Sequence, residues 1–236
     1  MPISDVIYKI INKAVRPILK RPSIMNSLNY NRFENIFRLT MKYIVSNKIE
    51  GDYLEFGVYQ GESFTTAYRF AKIFGLTKMK FIAFDAFQGL PEFSGVDKEG
   101  HHRYDEGEFS CSLEDFKKNI CENGVDPARV KIVKGWYDKI LNEKTKKKLK
   151  IKKAAAIMID CDLYASTVPV LDFVVDYLQE GTVIMFDDWF SYRANPNRGE
   201  QKAFNEWLKK NPTIKVTVYN RFGPEGNSFI VIRAPK

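Results

Sequence analysis

From residue 50 onward, short apolar runs alternate with segments of helical periodicity, and few folds accept that order. Tyr53–Val58, Phe81–Phe84, Val130–Val133, Ala154–Ile159 and Thr182–Phe186 read as strands. Between them, Ser63–Phe74, a segment opened by Ser112-Leu113-Glu114-Asp115 and stopping near Asn123-Gly124, Tyr137–Leu149 and Val168–Leu178 read as helices. Strands interleaved with helices are the mark of a parallel α/β sheet. Ala154–Ile159 is apolar throughout, as a central strand covered on both faces must be. After a helix at Gln201–Leu208, two strands at Ile214–Tyr219 and Ser228–Ile232 flank Gly223-Pro224-Glu225-Gly226. That hairpin-like connection closes the sheet with an antiparallel pair. The expected fold class is α/β: a mostly parallel, Rossmann-like sheet with a C-terminal antiparallel strand pair and a helical N-terminal extension. The extension occupies residues 1–49, with helical periodicity over Arg32–Val45, and the domain residues 50–236. Residues 87–110 are polar, contain glycine and lack periodicity; a loop of this length in a compact domain is expected to be a functional lid.

With 236 residues, 44% of them hydrophobic, the chain can bury one full core. The net charge of +8 admits nucleic acid or an anionic surface as partner. Part of the excess, however, lies in Lys144–Lys153, which reads as a solvated helix and loop, and no aromatic residues interleave with it to stack bases. Nucleic acid is therefore not expected. Three scattered cysteines, with no CxxC pair, fit free thiols in a reducing compartment. Without a visible secretory signal or apolar span, a cytoplasmic location is expected. Within residues 1–21, Ile3, Val6, Ile7, Ile10 and Ile11 recur at helical spacing with Lys9, Lys13 and Arg16 between them. Packing on the domain or in a homodimer is the favoured reading; peripheral membrane contact is the alternative. Pro17 interrupts this helix and interfacial aromatic anchors are nearly absent.

In an open α/β sheet, ligands bind beyond the carboxyl ends of the strands. The first strand runs into Glu55-Phe56-Gly57-Val58-Tyr59-Gln60-Gly61, in which glycines allow close backbone approach to a ligand. This turn resembles the spaced-glycine fingerprint of methyltransferases dependent on S-adenosylmethionine (SAM). It is neither a P-loop nor the G-x-G-x-x-G of nicotinamide enzymes. The second strand ends on Asp85, a carboxylate suited to two ribose hydroxyls, though a lone Asp at a strand end also serves as a helix cap. The fourth strand ends in Asp160-Cys161-Asp162 and the fifth in Asp187-Asp188. If these strands are neighbours, four carboxylates converge, and like charges that close require something positive among them. Oxygen ligands without a His or Cys cluster point to Mg²⁺ or Ca²⁺ rather than zinc.

Five motifs in order extend the resemblance to residues 49–234. They are Glu55-Phe56-Gly57-Val58-Tyr59-Gln60-Gly61-Glu62-Ser63, Phe84-Asp85-Ala86-Phe87-Gln88-Gly89-Leu90-Pro91, Lys134-Gly135-Trp136-Tyr137, Ile159-Asp160-Cys161-Asp162-Leu163-Tyr164-Ala165-Ser166-Thr167 and Phe186-Asp187-Asp188-Trp189. The chain thereby resembles the macrocin/mycinamicin-type sugar O-methyltransferases. The resemblance implies a class I SAM-dependent methyltransferase fold and a divalent cation, usually Mg²⁺, used to methylate a hydroxyl of a sugar-containing acceptor. Carried over by position, Asp160, Asp187 and Asp188 hold the metal and Asp162 is the candidate general base. Glu55, Gly57, Gly61, Ser63, Asp85 and Trp136 hold the cofactor, with Asp160 alongside. His101 and His102 stand in the lid where the family can carry a histidine base; a surface role is the alternative. Two other chemistries use similar residues: a nucleotide-sugar glycosyltransferase, which also employs Asp-x-Asp with a metal, and a catechol-type O-methyltransferase.

Overall fold

Every side chain of Ala154–Ile159 is buried, and this strand stands in the middle of the sheet. A computed structural model of the chain describes residues 33–99 and 104–234. The expected N-terminal helix, with its dimer and membrane alternatives, lies outside the described residues, as do His101 and His102. The strands are β1 (Asp52–Phe56), β2 (Phe81–Asp85), β3 (Val130–Lys134), β4 (Ala154–Ile159), β5 (Val183–Phe186), β6 (Lys215–Phe222) and β7 (Gly226–Arg233). They form one seven-stranded sheet in the order β3-β2-β1-β4-β5-β7-β6. β1 to β5 are parallel, and β7 runs antiparallel to both β5 and β6. The expected α/β sheet with its closing antiparallel pair is therefore the observed one.

Alternation along each strand divides the core into two layers. Tyr53, Phe81, Ala83, Met158 and Met185 face helices α1 (Glu34–Ser46), α2 (Glu62–Ile73) and α3 (Leu113–Glu122). Leu54, Phe56, Phe84, Ile157 and Phe186 face the opposite layer. Its helices are α4 (Tyr137–Ile140), α5 (Glu143–Leu149), α6 (Tyr164–Val174), the single turn α7 (Ser191–Ala194) and α8 (Gly199–Lys210). Among the described residues, no helix is long and apolar enough to cross a membrane.

Local chemistry explains two helix starts that differ from expectation. The helix expected over Tyr137–Leu149 is split, because Asn142 Oδ1 accepts the Thr145 N–H (3.1 Å) and starts α5 afresh. α6 begins at Tyr164 rather than Val168, since the Asp97 carboxylate accepts the N–H groups of Tyr164 (3.0 Å) and Ala165 (2.9 Å). That cap comes from a distant part of the chain, so no local pattern announces it. The described parts of the 87–110 loop, residues 87–99 and 104–110, carry backbone pairing of their own. Leu90 N–H donates to Glu108 O and Gly107 N–H to Leu90 O, both at 2.9 Å, and Gly95–Lys98 forms a 3₁₀ turn.

Candidate active site

Strand order reverses between β1 and β4, and the groups predicted from the strand ends gather there. Gly57 leaves β1 with φ +82°, and a Cβ on it would stand 1.9 Å from Asp160 O. The glycine is thus required by the close approach of two chain segments as much as by any ligand. Its N–H donates to Phe84 O (2.9 Å), and Asp160 N–H donates to Phe56 O (2.9 Å). Asp85 fastens this turn: Oδ2 accepts the Val58 N–H (2.8 Å) and Oδ1 the Phe87 N–H (2.6 Å). Each carboxylate oxygen retains a lone pair, and Asp85 lines the cavity beside Gly57, Gly135 and Trp136. The two roles expected of Asp85, capping and contact, are compatible.

Three residues expected at the cofactor, Glu55, Gly61 and Ser63, are not among those that line the main cavity. Glu55 and Ser63 lie beneath the cavity floor and are not among the residues that line it. Ser63 Oγ donates to Glu55 Oε1 (2.6 Å), and the Tyr53 hydroxyl donates to Oε2. Burial pushes the Glu55 carboxyl up to about 8, against the pull of these two donors. Their role is to lock β1 to the first turn of α2, which carries the glycine turn. Gly61 (φ +89°) precedes α2, and its missing Cβ makes room for Ile120 and Phe116 of α3.

The cavity measures about 820 Å³, towards the upper end of the roughly 300–1,000 Å³ usual for small-molecule sites. Its far wall is acidic. One carboxylate oxygen from each of Asp160, Asp187 and Asp188 lies within 4.8 Å of the others. Asp162, forced to φ +59° by the sharp exit from β4, joins them at the wall. Burial, and then the charges of Asp188 and Asp187, raise the Asp162 carboxyl well above the usual carboxylate range. Asp188 Oδ2 is enclosed and has no hydrogen-bond partner among the described residues. An enclosed, undonated carboxylate oxygen beside two further carboxylates fits a divalent cation with oxygen ligands.

Two residues of this wall escaped the sequence reading. Tyr104, in the 87–110 loop, donates its hydroxyl to Asp188 Oδ1 (2.7 Å). Glu200, in the first turn of α8, is fully buried; its Oε2 accepts the Asp188 N–H (3.0 Å) and its Oε1 the Cys161 N–H (3.4 Å). It thereby ties the β4 and β5 ends together, and burial followed by the charges of Asp188 and Asp187 raises its carboxyl well above the usual range. A Glu in a first helical turn ordinarily reads as a solvated, dipole-favoured residue, so the pattern held no signal for it. Tyr104 left no distinctive one either, since the same loop carries Phe87, Phe93 and Phe109.

Residues 20–213 match the family described as Macrocin-O-methyltransferase (TylF). Two curated relatives agree. The 8-demethyl-8-(2,3-dimethoxy-alpha-L-rhamnosyl)-tetracenomycin-C 4'-O-methyltransferase of Streptomyces olivaceus is 26% identical over 173 residues, covering 71% of this chain and 64% of that protein. Mycinamicin III 3''-O-methyltransferase of Micromonospora griseorubida is 25% identical over 147 residues, covering 60% and 56%. The matches thus span less than two thirds of either relative's own length. Among solved structures, the O-methyltransferase NovP superposes with a TM-score of 0.70 at 20% identity, covering 86% of this chain and 80% of that one.

Proposed function

Since this chain belongs to the macrocin-O-methyltransferase (TylF) family, we propose that it moves a methyl group from S-adenosylmethionine to a hydroxyl of a sugar or glycosylated acceptor. One observation carries the reading: a single cavity joins Gly57, Asp85 and Trp136 on one wall to Asp160, Asp162, Asp187 and Asp188 on the other. The first wall suits the nucleoside part of the cofactor. Asp85 has lone pairs left for ribose hydroxyls, and the half-buried Trp136 offers a ring face to adenine. The curated relatives are named for methylation of sugar hydroxyls, which points to the same acceptor class here.

Asp160, Asp187 and Asp188 would hold a divalent cation, with Mg²⁺ the first candidate for an all-oxygen set. Such a cation, when bound, supplies Lewis acidity that lowers the pKa of a neighbouring hydroxyl. Asp162 is the proposed general base. It lines the cavity beside the three proposed cation ligands, within reach of a hydroxyl held there. The lid supplies Leu90, Pro91 and Phe109 to the same cavity, which excludes water and narrows the angles from which an acceptor can approach.

Incubation with labelled SAM, Mg²⁺ and a panel of glycosides, nucleotide-sugars and catechols tests the reading. Methylation of a glycoside or nucleotide-sugar hydroxyl is expected, lost on adding EDTA and in Asp187→Asn. Transfer confined to catechols would contradict the acceptor class. Sugar methylation that survives both EDTA and Asp187→Asn would contradict the metal role.

A further inference from the structure

Asp188 has a different occupant at each oxygen. Oδ1 lies 2.7 Å from the Tyr104 hydroxyl and 3.0 Å from Ser191 Oγ, whereas Oδ2 is enclosed and receives no donor among the described residues. Ser191 Oγ also lies 3.0 Å from Glu225 Oε2 and 3.2 Å from the Tyr104 hydroxyl. A serine has one hydroxyl proton and can serve one carboxylate at a time. Asp188 Oδ1 thus has two hydroxyls beside it, and the Tyr104 hydroxyl is the one that arrives from the 87–110 loop rather than from the segment after β5. On the proposed reading of the acidic wall as a cation site, we propose that Tyr104 is a positioning residue: its hydroxyl engages Asp188 Oδ1, leaves Oδ2 to the cation, and so couples cation binding to closure of this loop.

The lid is pinned at two points, and Tyr104 is one of them. The other is Asp97, which caps α6 through Tyr164 and Ala165 and is 4% exposed. Beside these anchors Phe93 and Tyr104 form a small apolar cluster with Leu163 and Tyr192. Tyr104 thus closes against the protein body with an apolar ring while its hydroxyl meets a proposed metal ligand. If that hydrogen bond exists only with the lid down, linkage requires the cation to favour the closed lid and the closed lid to tighten the cation, by the same factor.

Tyr104→Phe removes the hydroxyl and keeps the ring, so a role limited to packing would survive it. Asp97→Asn weakens the second anchor without hydrogen-bonding to the acidic wall: its amide would face one of the two N–H groups that the carboxylate now accepts. Mg²⁺ titration by calorimetry and hydrogen exchange of residues 90–99 and 104–110, with and without Mg²⁺, are measured on the wild type and both variants. Melting temperatures without metal verify that each variant is folded. The expected result is Mg²⁺ affinity roughly 10–100-fold weaker in Tyr104→Phe, the usual cost of losing a group that orients a metal ligand, and a smaller loss in Asp97→Asn. Mg²⁺ should slow lid exchange in the wild type and slow it less in both variants. Unchanged Mg²⁺ affinity in Tyr104→Phe, or a lid whose exchange ignores Mg²⁺ in a wild type that binds it, would overturn the proposal. A wild type that binds no Mg²⁺ would instead remove the cation site itself, and the proposal with it.

Discussion

Gly57 shows how one residue serves chain and site together. Its Cβ position is occupied by Asp160 O at 1.9 Å, backbone that cannot rotate away, and its φ is +82°. Gly57→Ala is expected to destabilise the fold by about 2–4 kcal/mol, read from urea unfolding, and to disturb β4 just where Asp160 emerges. Glu55 offers a test by pH. Its folded carboxyl, raised by burial to about 8, stands above the roughly 4.3 expected when unfolded, so the folded state binds the proton more tightly. The associated stability is complete below about pH 4.3 and is lost as pH rises through about 8. Glu55→Gln cannot ionise, and its melting temperature should fall less steeply than that of the wild type across this window. An equal slope in both proteins would show that Glu55 does not carry the effect. The glycine turn was legible because only Gly tolerates such a backbone. The placement of Glu55 below the floor was not legible, because an acidic residue in a strand gives no sign of which hydroxyls will cover it.

At the scale of elements, the 87–110 loop, proposed as a lid, and α8 shape the acidic wall. Phe204 of α8 packs on Phe186 (4.9 Å between ring centroids), Phe229 (4.8 Å), Trp189 (5.5 Å) and Trp207 (5.6 Å). This cluster seats the helix so that Glu200 reaches the backbone of Cys161 and Asp188. Phe204→Ala should cost about 3–5 kcal/mol by the usual price of a large buried truncation, measured by denaturant unfolding. Strands were readable from runs such as Ala154–Ile159, where burial on both faces leaves a continuous apolar signal. Helix starts were less so: Asn142 caps α5 from within its own segment, whereas α6 is capped by Asp97 across a separation of 67 residues. The order within the lid likewise arises from pairing of Leu90 with Gly107 and Glu108, contacts between distant residues that leave no periodic trace.

Over the whole molecule, one mostly parallel sheet whose strand order reverses between β1 and β4 brings the ends of its five parallel strands to one cavity. That convergence was foreseeable, because parallel strands all present their carboxyl ends on one side. The closing of the wall by Tyr104 and Glu200 was not, since it depends on how lid and helix settle on the sheet. The Gly57–Asp85–Trp136 side is the proposed cofactor wall, and the acidic side the proposed place of acceptor chemistry. Calorimetric titration with S-adenosylhomocysteine, on the wild type and on Asp85→Asn, tests that division. Wild-type binding is expected with a dissociation constant on the order of micromolar, and binding about tenfold weaker or worse once the Asp85 carboxylate is lost. A wild type that does not bind S-adenosylhomocysteine, or binding indifferent to Asp85→Asn, would contradict it.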